Sequence, residues 1–150
     1  MPLALGPTVV SIAAAQTVLG ATSNTTEVTF TFSEAVNGFD VDDVVIPNSA
    51  GYLSDFDSGD GGVVWTAVFH ADPGFEGLTT LSVTDGYKNS NYEDGHAGGA
   101  LDATVDTVAP TAIVALAADS FNIASPTSTV TFTLSEASAD FEASDVTVSG

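Results

Sequence analysis

A chain of 150 residues has room for one core and part of another, since single domains commonly occupy roughly 100 to 150 residues, so a multidomain enzyme is excluded by size. Twenty acidic residues against one basic residue, Lys88, give a formal charge of -19, which repels phosphate backbones and anionic membrane surfaces; neither nucleic-acid binding nor direct membrane insertion is expected. Such charge favours disorder, but 44% of the residues are hydrophobic and Val and Thr abound, so apolar burial can offset the entropy of ordering.

The opening sixteen residues are apolar, but Pro2 and Pro7 interrupt them and no cationic flank precedes them, so no targeting segment is expected there. Strand A is expected over 8–14 and strand B over 27–33, where Val28, Phe30 and Phe32 alternate with Thr29, Thr31 and Ser33 and therefore take one face, the core face. Strand C over 42–46 turns Val44 and Ile46 inward, and a short strand D follows over 52–56. The run from Asp55 to Gly62 reads as the D–E hairpin turn, because an EF-hand loop would need an acid or amide at position 5 and Glu at position 12, and Gly59 and Thr66 stand there. Strand E over 63–70 directs Trp65, Ala67 and Phe69 inward and His70 outward. Strand F over 79–84 contributes Leu81 and Val83, and strand G over 101–106 contributes Leu101, Ala103 and Val105. No apolar stripe of period 3.6 is sustained anywhere, so the expected class is an all-β antiparallel sandwich of about seven strands with no helix longer than a turn.

The chain then starts again. Residues 28–46, VTFTFSEAVNGFDVDDVVI, realign 102 positions later with residues 130–148, VTFTLSEASADFEASDVTV, sharing ten of nineteen positions without a gap. Pro7-Thr8 matches Pro110-Thr111 at an offset of 103. The domains are therefore a complete repeat over 7–107 and the N-terminal part of a second, incomplete repeat over 108–150. That second part has only the first strands of a unit, near the size of roughly 40 residues below which chains seldom fold without a staple. Cysteine is absent, so the staple is expected to be an oxygen-ligated ion, further sequence or another chain.

VTFTFSEAV, GFDVDDVVI and the closing VDTVAPT together resemble the bacterial Ig-like repeats of giant calcium-dependent surface adhesins of the RTX and BapA type. The resemblance implies an Ig-like sandwich in a tandem rod that holds an adhesive tip away from a bacterial cell. It also implies an extracellular location, no enzymatic activity, a role in adhesion or biofilm formation, neighbouring Ig-like repeats as partners, and Ca²⁺ stiffening the junctions. Because an odd number of antiparallel strands puts entrance and exit at opposite ends, Asp106 would meet the B–C and F–G loops of the next repeat. The expected junction ligands are Asp106 and the backbone near Thr107, with Glu136 and Asp145 on the second repeat. Their counterparts Glu34, Asp43, Asp85 and Asp94 are the candidate ligands at the first repeat's own entrance.

Two other readings stay open. His70 and His96 are the only histidines and no Cys accompanies them, so neither a zinc site nor a Ser-His-Asp triad is expected and no catalytic residue is assigned. Thr29 and Thr31, repeated as Thr131 and Thr133, follow from β-propensity. Tyr87 and Tyr92 in the long F–G loop offer an aromatic platform, which would make the chain a carbohydrate- or cell-surface-binding module. Alternatively, another copy completes the half-repeat with its strands, making the chain an assembling subunit.

Overall fold

The structure is a computed structural model describing residues 5–149; the first four residues of the apolar opening lie outside the described residues. It divides into two compact units, Met1–Val108 and Ala109–Gly150.

The first unit is built from β1 (Val9–Ala14), β2 (Val18–Gly20), β3 (Thr25–Phe32), β4 (Val36–Asn37), β5 (Val44–Val45), β6 (Gly51–Asp57), β7 (Val64–Ala71), β8 (Glu76–Val83), β9 (Lys88–Asn89) and β10 (Gly98–Asp106). One sheet has the order β1-β3-β7-β6 and the other β2-β10-β8-β5, so the two layers of an Ig-like sandwich face each other. Alternation decides what lies between them: Val28, Phe30 and Phe32 of β3 are at most 2% exposed, and Leu81, Val83 and Val105 of the opposite sheet are as deeply buried. Phe39, in the loop between the sheets, closes the interior, with its ring centroid 5.0 to 6.1 Å from Phe30, Phe32, Phe56, Trp65 and Tyr87. Trp65 points toward this cluster from the margin, half-buried, and its indole N–H donates to the Gly62 carbonyl at 3.1 Å.

Four differences from the sequence reading have local causes. Strand C shrinks to Val44–Val45 because residues Val41–Asp43 form a 3-10 turn. The Asp40 carboxylate accepts from the Asp42 amide and the Asp43 carboxylate from the Asp40 amide, local bonds that compete with a ladder. Strand F begins at Glu76, earlier than 79, because β10 continues to Asp106 and pairs with it. The segment Val18–Gly20, unassigned from sequence, pairs parallel with β10 over Thr104–Asp106. Strand D extends to Asp57 across an irregularity in which Asp55 has φ of 57°.

The second unit contains β11 (Ala112–Leu116) paired antiparallel with β12 (Val130–Leu134), then a 3-10 turn over Ala143–Asp145. It reproduces several hydrogen bonds of the opening half of the first unit. The Ala15 amide donates to the Glu27 carbonyl and Ala117 to Thr129; the Gln16 amide donates to Thr26 Oγ1 and Ala118 to Ser128 Oγ; Gly20 and Ser23 exchange backbone bonds, as do Asn122 and Ser125. All are spaced by 102. The Thr8 amide donates to Ser33 Oγ and the Thr111 amide to Ser135 Oγ, however, which spaces the donors by 103. The extra residue is Val10: β1 jumps from Val9↔Phe32 to Ser11↔Thr31, whereas β11 runs from Ala112↔Leu134 to Ile113↔Thr133 without a break.

Candidate functional site

The entrance end of the first unit is organised by the loop between β8 and β10, expected from sequence to present an aromatic platform. Tyr87 instead lies inside, fully buried, its ring 4.9 Å from Phe32 and its hydroxyl donating to the carbonyl of His96 at 2.6 Å, with the Pro7 carbonyl 3.3 Å away. Because the Tyr87 ring completes the same aromatic cluster as Phe39, the platform keeps only Tyr92, 84% exposed with φ of 64°. Asn89, itself buried, shapes the tip: its side chain donates to Glu93 at 2.6 Å and accepts from the Asn91 and Glu93 amides at 3.0 Å. Asn37, Gly38, Gly86, Lys88, Asn89, Ser90 and Tyr92 line a recess of about 470 Å³ beside it.

The four acidic residues expected at this end have different surroundings. Asp43 is buried and holds the Asp40 amide at 3.1 Å, with Gly86 so close that any side chain there would strike its carboxylate. Burial raises its pKa above the ordinary value, and the neighbouring carboxylates Asp40, Asp42 and Asp85 add to the rise, against the lowering effect of the Asp40 N–H. Burial likewise pushes up the Tyr87 phenol, with Asp43 and Asp85 contributing. Asp94 is exposed and paired with Lys88; Glu34 and Asp85 are exposed.

At the other end, Asp106 closes β10 with an exposed carboxylate that accepts a 3.4 Å bond from the Val108 amide. The Thr107 hydroxyl is fixed by donating to the Asp72 carbonyl at 2.6 Å and accepting from the Phe75 amide at 3.0 Å. On the second unit Glu136 is half-buried, and Asp145 repeats the capping role of Asp43 by accepting from the Glu142 amide at 2.9 Å. Among the described residues no three acidic or histidine side chains stand together as a metal-holding group. A cation bound within either unit would therefore need backbone carbonyls and water to complete six to eight oxygens.

The run 55–62 holds the end of β6, through Asp57, and then the expected turn to β7. The Asp60 carboxylate accepts from the amides of Val64, Gly62 and Val63 at 3.0 to 3.3 Å, which holds its pKa below the ordinary value. A juxtaposition missed from sequence lies on the outer face, where β6 brings Ser54 Oγ within 2.8 Å of His70 Nε2 and Tyr52 stacks on the imidazole at 4.7 Å. Only the β6–β7 register places them together, and periodicity of one strand cannot supply that. Ser54 Oγ also contacts Asp55 at 2.7 Å, so the carboxylate meets the serine rather than orienting the imidazole, unlike a catalytic triad.

No curated protein matches the chain. Among solved structures, the N-terminal part of the bacterial S-layer protein SbsC is similar at 18% identity and a TM-score of 0.43, over 75% of this chain and 26% of that one; this chain thus spans about a quarter of its length. The bacterial Ig-like domain family matches residues 4–102 and again residues 106–150. With both matches falling on the two units that repeat each other's hydrogen bonds, the chain belongs to the bacterial Ig-like domain family.

Proposed function

We propose that the chain is a structural extender of an extracellular bacterial surface adhesin, a spacer that performs no chemistry and carries a distal binding element away from the cell. The observation that supports this reading best is the duplication: in the sequence a second Ig-like unit follows β10 and repeats several of the first one's turn and capping hydrogen bonds. Tandem modules joined by a short connection transmit reach, whereas a single recognition module has no need of a copy. Ca²⁺ is the proposed stiffener, with Asp106 the ligand to test first because its carboxylate is exposed at the connection, and with Glu136 and Asp145 supplying the second unit's side. Partners are then the neighbouring Ig-like repeats.

The 150-residue chain tests both parts. In millimolar Ca²⁺ it should melt higher than in excess chelator, since about a hundredfold excess over Kd contributes roughly 2.7 kcal/mol per site. Its maximum dimension in small-angle scattering should also lengthen, and Asp106→Asn should abolish both responses. Identical melting and scattering with and without chelator would remove calcium from the account. Saturable binding to immobilised glycans, lost on Tyr92→Ala, would replace the spacer with a recognition module.

A further inference from the structure

Of the chain's six asparagines, one is followed by glycine, Asn37-Gly38. The others precede Thr25, Ser49, Ser90, Tyr92 and Ile123, whose side chains crowd the backbone nitrogen next to each amide. That nitrogen is the nucleophile that makes asparagine chemically labile, because it can attack the side-chain amide of the residue before it, and glycine leaves it unobstructed. The pair has no counterpart in the second unit, where Ala139 and Asp140 stand at the repeat spacing of 102.

The fold leaves this dipeptide open. Asn37 and Gly38 are both exposed, Gly38 takes φ of 74°, and no atom lies within 4 Å of the place its Cβ would occupy. The Val36 amide donates to Gly62, and amides alternate along a strand, so the Asn37 amide faces β9 and the Gly38 nitrogen points away from that ladder. Asn89, by contrast, is buried with its side chain held by Glu93 and Asn91, and the Asn122 side chain accepts from the Ala124 and Ser125 amides. Among the described residues no such bond holds the Asn37 side chain. Asp60, Asp85 and Asp94 are also followed by glycine, but a carboxylate ionised at neutral pH is a poor electrophile. Two of these are restrained as well: Asp60 already holds three amides, and the Gly95 nitrogen donates to the Tyr87 carbonyl at 2.8 Å.

We propose that Asn37 is the modification site at which the folded chain spontaneously deamidates, and that the carboxylate produced stands across the β4–β9 ladder from Lys88. The Gly38 nitrogen gives up its proton and attacks Asn37 Cγ; a five-membered succinimide forms, and the side-chain nitrogen leaves with one proton more, as ammonia. Water then opens the ring at either carbonyl, giving aspartate or an isoaspartate whose backbone runs through the side-chain carbon. No oxidant, cofactor or second protein is required. The register Asn37↔Lys88 sets the new charge opposite the only basic side chain of the chain, whose present partner is Asp94. One more acid there meets an ammonium rather than another carboxylate, so the product and Asp94 compete for a single partner. An isoaspartate also lengthens the β4 backbone by one carbon and disrupts its two-residue ladder, beside the recess that Asn37, Gly38, Lys88 and Tyr92 line. The entrance-end loops therefore change irreversibly with the age of the chain. The proposal goes beyond the spacer reading and depends on neither that reading nor calcium.

The test incubates the intact 150-residue chain at mildly alkaline pH and follows anion exchange, released ammonia and the peptide map. One species with one added negative charge is expected, formed with first-order kinetics, releasing one ammonia per chain and mapping to residues 36–39, at least tenfold ahead of every other asparagine. Isoaspartyl methyltransferase should label it, and the Lys88 and Asn89 amide resonances should shift as it accumulates. Asn37→Gln, whose longer side chain must close a six-membered ring, should slow the reaction at least tenfold, and Asn48→Gln should leave it unchanged. A parallel incubation in urea separates the fold from the dipeptide: the folded chain is expected to react within tenfold of the unfolded one. A folded rate more than tenfold below the urea rate would overturn the proposal by showing that the ladder shields Asn37. So would first conversion at another asparagine, or conversion undiminished by Asn37→Gln. Unchanged Lys88 and Asn89 resonances would overturn the placement of the new carboxylate.

Discussion

Thr79 sits on the inward face of β8, 1% exposed, and its hydroxyl has no hydrogen-bond partner. A buried hydroxyl left unpaired costs about 1 to 3 kcal/mol, and Val has nearly its shape without that group. Thr79→Val is therefore expected to raise the unfolding free energy by about 1 kcal/mol, read from the urea midpoint at unchanged slope; a loss of stability would mean that the hydroxyl has a partner in solution. Asp43 is the opposite kind of buried polar group, bonded but charged. Its folded pKa lies above its unfolded one, so folding favours the protonated form: the stability this supplies is present below the unfolded value near 3.8 and is lost as pH rises through the folded value. An asparagine in its place keeps an acceptor for the Asp40 amide and lacks the charge. In chelator, Asp43→Asn should be the more stable protein at pH 7, with the gap closing in acid; a variant less stable at every pH would show that the carboxylate is needed for more than its cap. Neither role was legible in sequence, where Asp43 reads as a candidate cation ligand beside Glu34, Asp85 and Asp94, and only the turn that buries it reveals the cap.

Strands whose residues alternate were legible, and those that depend on a partner were not. β3 and β7 appear within a residue or two of their expected bounds because Val28-Thr29-Phe30 and Trp65-Thr66-Ala67 state their inward faces directly. The two-residue β4, β5 and β9 and the parallel β2 exist only through what they pair with. The repeat spacing carried a finer signal: the change from 103 at Pro7 to 102 at Val28 is the imprint of the bulge at Val10. Because β11 manages without that residue while keeping the Ser135 to Thr111 bonds, deleting Val10 should leave the first unit folded, with a melting shift of no more than several degrees. Deleting Thr29, also a single residue, would turn half of β3's inward side chains to the outer face and should abolish cooperative unfolding. If the two deletions were equally damaging, the bulge would be part of the fold's specification rather than an insertion within it.

At the scale of the whole molecule, the alternating strands, the repeated motifs and the duplication made the all-β class and the family resemblance readable, whereas the candidate ligands were named from the resemblance and from loop placement, without the bonds each carboxylate already makes. A carboxylate's availability depends on which amide it already holds, as Asp145 holds Glu142 and Asp94 pairs with Lys88. The contrast between a covered and an uncovered half-sandwich fixes how stability is distributed. In the first unit β3 is paired on both edges and Val28 and Phe30 are inaccessible, so its amides should exchange only through global opening, typically 5 to 15 kcal/mol above the native state. β12 carries a near-copy of that sequence, VTFTL for VTFTF, with one edge paired and its apolar face open. Local propensity is thus held almost constant while burial changes, so any difference in protection measures the tertiary contribution. Amide exchange by NMR should show Val28, Phe30 and Phe32 among the slowest residues of the chain, and Val130, Phe132 and Leu134 at least a hundredfold faster. The outward-facing amides of β12 should also exchange faster than the intervening Thr131 and Thr133, which face β11. Uniform protection along β12, odd and even residues alike, would show its outer edge to be paired in solution, whereas uniform rapid exchange would show that β11 and β12 do not hold together without a covering strand.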